Sequence, residues 1–222
     1  SFDADNTACV AVFWGEGGAF CAGWDLKHAS ALEGAEALAP YDFPKEGDPP
    51  MAAMGPSRLE LSKPVIAAVE GHAVAGGLGV ALWADMRVAS ETAIFGVFCR
   101  RFGVPMSDGT PTRLPKVIGR SRALDMLLTG RPVRAEEALH IGLADRLAPE
   151  GQALEMATNL AKEISTFPPL AMRADRAAAW SAFDSNEATR LIKEDEGALL
   201  AKKLEATQGA KRFERGIGRG GN

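Results

Sequence analysis

A chain of 222 residues with 46% hydrophobic and 24% charged content has the make-up of a folded protein with a substantial core, which excludes wholesale disorder. The net charge of −4 excludes a general attraction to nucleic acid or anionic lipid. Cys9, Cys21 and Cys99 are too few and too scattered for a disulfide framework or a zinc knuckle, so a reducing compartment, the cytoplasm, is expected.

No apolar run approaches the ~20 residues of a membrane span, and no signal peptide opens the chain. The first residues, SFDADNTACV, lack a Met and already sit inside a patterned segment, which points to further native residues upstream. Short β-like runs then alternate with helices up to about residue 150. They are ACVAVFW (8–14), PVIAAVEG (64–71), MRVAS (86–90), AIFG (93–96) and LADRLA (143–148). This alternation predicts an α/β fold, and the first two runs are apolar enough for strands covered on both faces. Between them, 33–57 mixes Pro, Gly and charge and reads as a surface flap.

Helices dominate after residue 110. SRALDMLLTG (121–130) and RAEEALHIG (134–142) each end on a glycine suited to a helix C-terminus, and 151–166 is amphipathic. From 167 the chain is purely helical. The expected division is therefore an α/β core over 1–166, carrying the site, and a helical C-terminal region over 167–222.

Two glycine-rich turns invite a chemical reading: FWGEGGAFCAGWDLK (13–27) and EGHAVAGGLGVALWADMRVAS (70–90). Neither has the Gly-Lys-Ser/Thr of a phosphate-binding loop, and GEGGAF lacks the dinucleotide glycine spacing. Both offer backbone N–H groups at a strand-to-helix transition, beside residues small enough to admit a ligand. Two such donors meeting at one oxygen would polarise a carbonyl.

The pair of motifs resembles the enoyl-CoA hydratase/isomerase (crotonase) superfamily, and LTGRPVRAEEALHIGLADRL (128–147) resembles the family's region beyond the site. The resemblance implies a spiral of ββα units with a C-terminal helical region that forms a homotrimer, often doubled to a hexamer. It implies an acyl-CoA thioester as substrate, as in fatty acid metabolism, with coenzyme A part of that substrate and no separate cofactor or metal. Carried over, the carbonyl donors are the N–H groups of Trp24 and Gly76. Ala22, Gly77, Gly79 and Cys99 fall at substrate-lining positions, Asp25, Leu26 and Lys27 at the CoA-contacting turn, and Lys211 and Phe213 near the nucleotide end of CoA.

The chain departs from the family at the two glutamates that hydratases use: Gly79 and Cys99 stand in their places. Water addition by a carboxylate pair is thereby lost. Asp108, in GVPMSDGTPTRLP, is the candidate acid or base, since some members of the superfamily place a working aspartate near this turn. The plain reading of an Asp before a helix is an N-cap, but Thr110 and Pro111 suit N-cap and first helical position better and leave Asp108 free to face a pocket. The positive helix end would then favour its ionised form.

Other candidates have simpler readings. Cys99 in an apolar strand context reads as inert core, and His72 as a satisfied turn residue. His28 and His140 share no metal-ligand spacing, and Arg100 and Arg101 read as a solvated face. The ring of Trp24 either narrows the acyl pocket or packs against the flap. The basic tail GAKRFERGIGRGG (209–221) reads as a frayed terminus, not a nucleic-acid site. The preferred expectation is an enzyme acting on an acyl-CoA through a stabilised enolate; the alternative is a non-catalytic acyl-CoA-binding protein.

Overall fold

The first apolar run forms strand β1 (Ala11–Trp14), and a glycine-rich turn leads from it to a single-turn helix, α1 (Leu26–Ala29). The computed structural model describes residues 1–29, 31, 52, 54–183 and 187–215, so most of the expected flap lies outside the described residues. After a 3-10 turn at Pro56–Arg58 come β2 (Val65–Val69), β3 (His72–Val74), α2 (Gly76–Trp83), β4 (Met86–Ser90) and β5 (Ile94–Gly96). A second 3-10 turn, Phe98–Phe102, precedes α3 (Thr110–Ile118), α4 (Arg120–Thr129), β6 (Pro132–Arg134), α5 (Ala135–His140), β7 (Arg146–Ala148) and α6 (Ala153–Ile164).

The strands form two sheets. One has the order β1-β2-β4-β7 and is parallel throughout; the other, β3-β5-β6, pairs β5 parallel with β3 and antiparallel with β6. β2 is buried along its whole length, as its unbroken apolar run predicts. β1 differs from expectation: it sits at the sheet edge with one neighbour, and Trp14 is 41% exposed. β3 and β6 were not expected, because HAV sits within a glycine-rich turn and PVR opens on a proline, so neither three-residue strand stands out from turns. All eight residues of α2 are buried, so its small side chains fill the interior instead of presenting a polar face.

Buried charges in this core act on the backbone. Arg87 of β4 is 4% exposed; its Nε donates to the Leu143 carbonyl at 2.7 Å, Nη1 to that of Ala84 at 3.1 Å, and Nη2 pairs with Asp145 at 3.0 Å. The Glu70 carboxylate accepts from the N–H groups of Gly151 and Ala153 at 3.2 and 2.8 Å, satisfying donors at the start of α6.

The chain divides into two compact units: 11–61 with 65–161, and 1–10 with 62–64 and 162–222. The second unit holds α7 (Pro169–Trp180), α8 (Glu187–Ala201), a π-helical turn at Lys202–Ala206 and α9 (Thr207–Glu214). In it Glu205 accepts from the N–H groups of Leu170 and Ala171 at 2.9 and 2.8 Å, closing the start of α7. Lys63, 2% exposed, donates to the carbonyls of Phe2 and Asp5 at 3.0 and 2.6 Å, which ties the first residues to 62–64. Among the described residues no helix is long and apolar enough to cross a membrane.

Candidate active site

Backbone hydrogen bonds stitch the two glycine-rich turns together. Cys21 N–H donates to the His72 carbonyl at 2.9 Å and Val74 N–H to the Cys21 carbonyl at 3.0 Å, while Ala75 N–H ties the second turn to β5 by donating to the Gly96 carbonyl at 2.9 Å. The approach is close enough to require glycine. A Cβ on Gly77 would stand 2.0 Å from the Cys21 carbonyl oxygen, and one on Gly23 would stand 2.9 Å from the nitrogen of Gly76. Trp24, whose N–H follows Gly23, and Gly76 are thus neighbours across the two turns. No protein oxygen among the described residues accepts from either N–H; Gly76 opens α2, where the first N–H groups lack intrahelical partners.

Ala75 sits between these elements at φ 50°, ψ −128°, the only non-glycine residue at positive φ among the described residues. Such a conformation costs on the order of 1–3 kcal/mol and persists where surrounding structure imposes it. Here it turns the chain from β3 into α2 and sets the direction of the next peptide.

Both turns open on a cleft of about 110 Å³. Of the expected residues it is lined by Ala22, Trp24, Leu26, Gly76, Cys99 and Asp108, and its wall is completed mainly by Met54, Phe98, Phe102, Val104, Pro105 and Met106. Among the described residues the wall is largely apolar, with one carboxylate, Asp108, in it. Phe98 is held between Gly96, where a Cβ would come within 2.3 Å of its ring, and the Arg101 guanidinium, 4.3 Å from its centroid. Arg100 and Arg101 also donate to the carbonyls of Leu127 and Gly130, so this exposed pair is anchored as well as solvated.

Gly77 and Gly79 are buried but do not line the cleft. Neither do Asp25 and Lys27: the Asp25 carboxylate accepts from the N–H groups of Lys27 and His28 at 2.8 and 3.3 Å, capping α1. His28 packs near the Trp24 ring, whereas His72 is exposed on β3 and His140 exposed at the end of α5. Lys211 and Phe213 belong to α9 of the helical unit, with Lys211 exposed. Among the described residues no group of three His, Cys, Asp or Glu side chains is placed to hold a metal ion.

Three local expectations are corrected. Cys99 lies on the 3-10 turn Phe98–Phe102, not in a strand; it is buried, its Sγ is 3.0 Å from the Met106 sulfur, and burial pushes its thiol up, away from nucleophile character. Gly109, left-handed at φ 81°, takes the N-cap position of α3, which places Thr110 inside the helix with its hydroxyl buried and without a partner among the described residues. For Asp108 burial outweighs any lowering by that helix end: it is 7% exposed, and burial pushes its carboxyl up, opposed by the Ser57 hydroxyl and by Arg58 and Arg113.

Asp108 occupies the space a longer residue at position 79 would need. A Cβ on Gly79 would stand 2.7 Å from both the Cβ and the carbonyl oxygen of Asp108, and one on Gly76 would stand 3.0 Å from Asp108 Oδ2. The carboxylate therefore reaches the cleft from the loop before α3 instead of from α2. Ser57 and Arg113, its hydrogen-bonding neighbours, were not singled out from the sequence, where nothing in their spacing relates them to Asp108.

The fold and this pair of stitched turns define the crotonase class of α/β proteins. The chain belongs to the enoyl-CoA hydratase/isomerase family, which it matches over residues 1–216. It is 41% identical over 179 residues to "Enoyl-CoA hydratase EchA19" of Mycobacterium tuberculosis, covering 78% of this chain and 62% of that protein. It is 37% identical over 174 residues to "Carnitinyl-CoA dehydratase" of Proteus mirabilis, covering 78% and 64%. The chain thus spans less than two thirds of the length of these curated relatives. The crystal structure of enoyl-CoA hydratase EchA1 from Mycobacterium marinum superposes with a TM-score of 0.83 at 32% identity, over 97% of this chain and 81% of that one.

Proposed function

We propose that the protein binds an acyl-CoA thioester in the cleft and moves a proton on its acyl chain through a stabilised enolate, with Asp108 as the single base and acid. The observation that carries this reading is the approach of the Trp24 and Gly76 peptides at a cleft whose described lining holds one carboxylate, that of Asp108. The thioester oxygen would accept from both N–H groups. A donor of this kind is worth about 2.7–4 kcal/mol when negative charge develops on the oxygen. Asp108 Oδ2, beside Gly76, would remove a proton from the acyl chain and return it.

Relocation of a double bond needs one group that takes and gives back a proton. Hydration divides its work between two carboxylates, and positions 79 and 99 supply neither. The geometry therefore favours isomerisation within the family's range of reactions. The apolar wall, of which Trp24 is part, suits a hydrocarbon acyl group. Exposed Leu191, Ile192, Leu199, Leu200 and Leu204 support the helical region as the surface of a homotrimer, to be checked by sedimentation.

The test uses 3-butenoyl-CoA in D₂O. Wild type should convert it to crotonyl-CoA, and Asp108→Ala should lower the rate by roughly 10²–10⁴-fold. Binding of the thioester without turnover would instead establish the non-catalytic binder, and full activity in Asp108→Ala would remove the assigned base.

A further inference from the structure

We propose that Ser57 and Arg113 are positioning residues which occupy one side of Asp108 and leave Oδ2 as the working oxygen. The inference rests on the role given to Asp108 above. Arg113, in the first turns of α3, sends its two terminal nitrogens to main-chain carbonyls: Nη1 to Asp108 at 3.2 Å and Nη2 to Ser57 at 2.7 Å. It thus clamps the loop that carries Asp108 to the turn that carries Ser57. Gly109 makes room for the clamp, since a Cβ there would stand 2.3 Å from Arg113 Nη1.

The clamp brings the Ser57 hydroxyl, on a residue 1% exposed, to 3.4 Å from Asp108 Oδ1, long for an O–H···O bond and of the kind that tightens when substrate closes a site. Oδ2 is the oxygen on the Gly76 side, where the thioester carbonyl would be held. Because the Arg113 nitrogens serve carbonyls, they set where the carboxylate lies without taking up the oxygen that must accept the proton. A planar fork can bridge two carbonyls in this way, whereas an ammonium on a flexible stem cannot hold the same geometry.

Arg58 and Arg113 face Asp108 with positive charge, and Cys99 lies close to it on the cleft wall. The tests are Ser57→Ala, Ser57→Thr and Arg113→Lys, read by two methods. The first is the pH profile of 3-butenoyl-CoA isomerisation. The second is ¹³C NMR titration of carboxyl-labelled aspartate, with the Asp108 signal identified by its loss in Asp108→Asn. Ser57→Ala should move the Asp108 titration and the acid limb of the profile together to higher pH, and lower kcat about tenfold or more with KM changed less than about twofold. Ser57→Thr should restore both, and Arg113→Lys should lower kcat in the same pattern.

Superimposable titrations for wild type and Ser57→Ala would overturn the proposal, as would failure of Ser57→Thr to restore what Ser57→Ala loses. If Arg113→Lys does not fold, the serine variants decide alone. If Asp108→Asn keeps full activity, the proposed role of Asp108 fails, and the NMR titration still decides whether Ser57 holds its carboxyl.

Discussion

Asp108 and Gly79 compete for one space. The first methyl of any side chain at 79 would fall 2.7 Å from the Asp108 Cβ and equally close to its carbonyl oxygen. A side chain at 79 and the Asp108 carboxylate therefore exclude one another, and the acid reaches this place from the loop before α3.

Gly79→Ala should consequently destabilise the protein by about 1–3 kcal/mol, because the atoms it meets include rigid main chain. It should also lower turnover, since Asp108 is what must shift. Gly197→Ala is the control: it lies mid-helix in α8 with nothing within 4 Å of an added Cβ, and should stabilise by roughly 0.5–1 kcal/mol. Calorimetry of the two variants against wild type checks both signs.

Ala75→Gly should raise stability by about 1 kcal/mol, equivalent to roughly 2–4 °C in melting temperature. Glycine adopts φ 50°, ψ −128° without the Cβ clash that alanine endures, and this relief exceeds the added entropy of the unfolded chain. A melting temperature equal to or below wild type would show that position 75 is not strained.

Asp108→Asn should separate stability from activity. In the folded chain burial pushes the Asp108 carboxyl above its ordinary value of 3.8, so the folded state binds the proton more tightly than the unfolded state. Stability then falls as pH rises from the ordinary value through the raised one, and the full loss is present above that window. The asparagine variant should melt higher than wild type at neutral pH, lose that advantage as pH falls through the raised value towards 3.8, and be nearly inactive throughout. Thermal melts across pH, alongside isomerisation assays, check this; a variant less stable at neutral pH would reverse the assigned cause.

The long-range stitching of the site was legible where it depended on small residues. AFCAG and AVAGG announced two closely approaching small-residue turns, and Gly23, Gly76 and Gly77 are the places where another chain segment leaves no room for a Cβ. Asp108 stood out because it is an acid beside a helix start. Its environment did not: burial outweighs the helix end, and a sequence records neighbours along the chain, not water excluded by residues from elsewhere. Thr110 was misread for a related reason, since Gly109 in the left-handed region could close the helix start itself. Met54, Ser57 and Arg113 come from segments whose meeting has no local signal.

By itself, the sequence determined the longer helices, the apolar strands such as β2 and β4, and which turns are bare of bulky side chains, because these depend on side-chain size and apolar spacing within a few residues. Only the tertiary structure decided that Asp108 fills the space over Gly79, that Ser57 and Arg113 flank it, and that burial pushes its carboxyl up. Those outcomes depend on which distant atoms exclude water and occupy volume around one carboxylate, and that is settled only when the chain is packed.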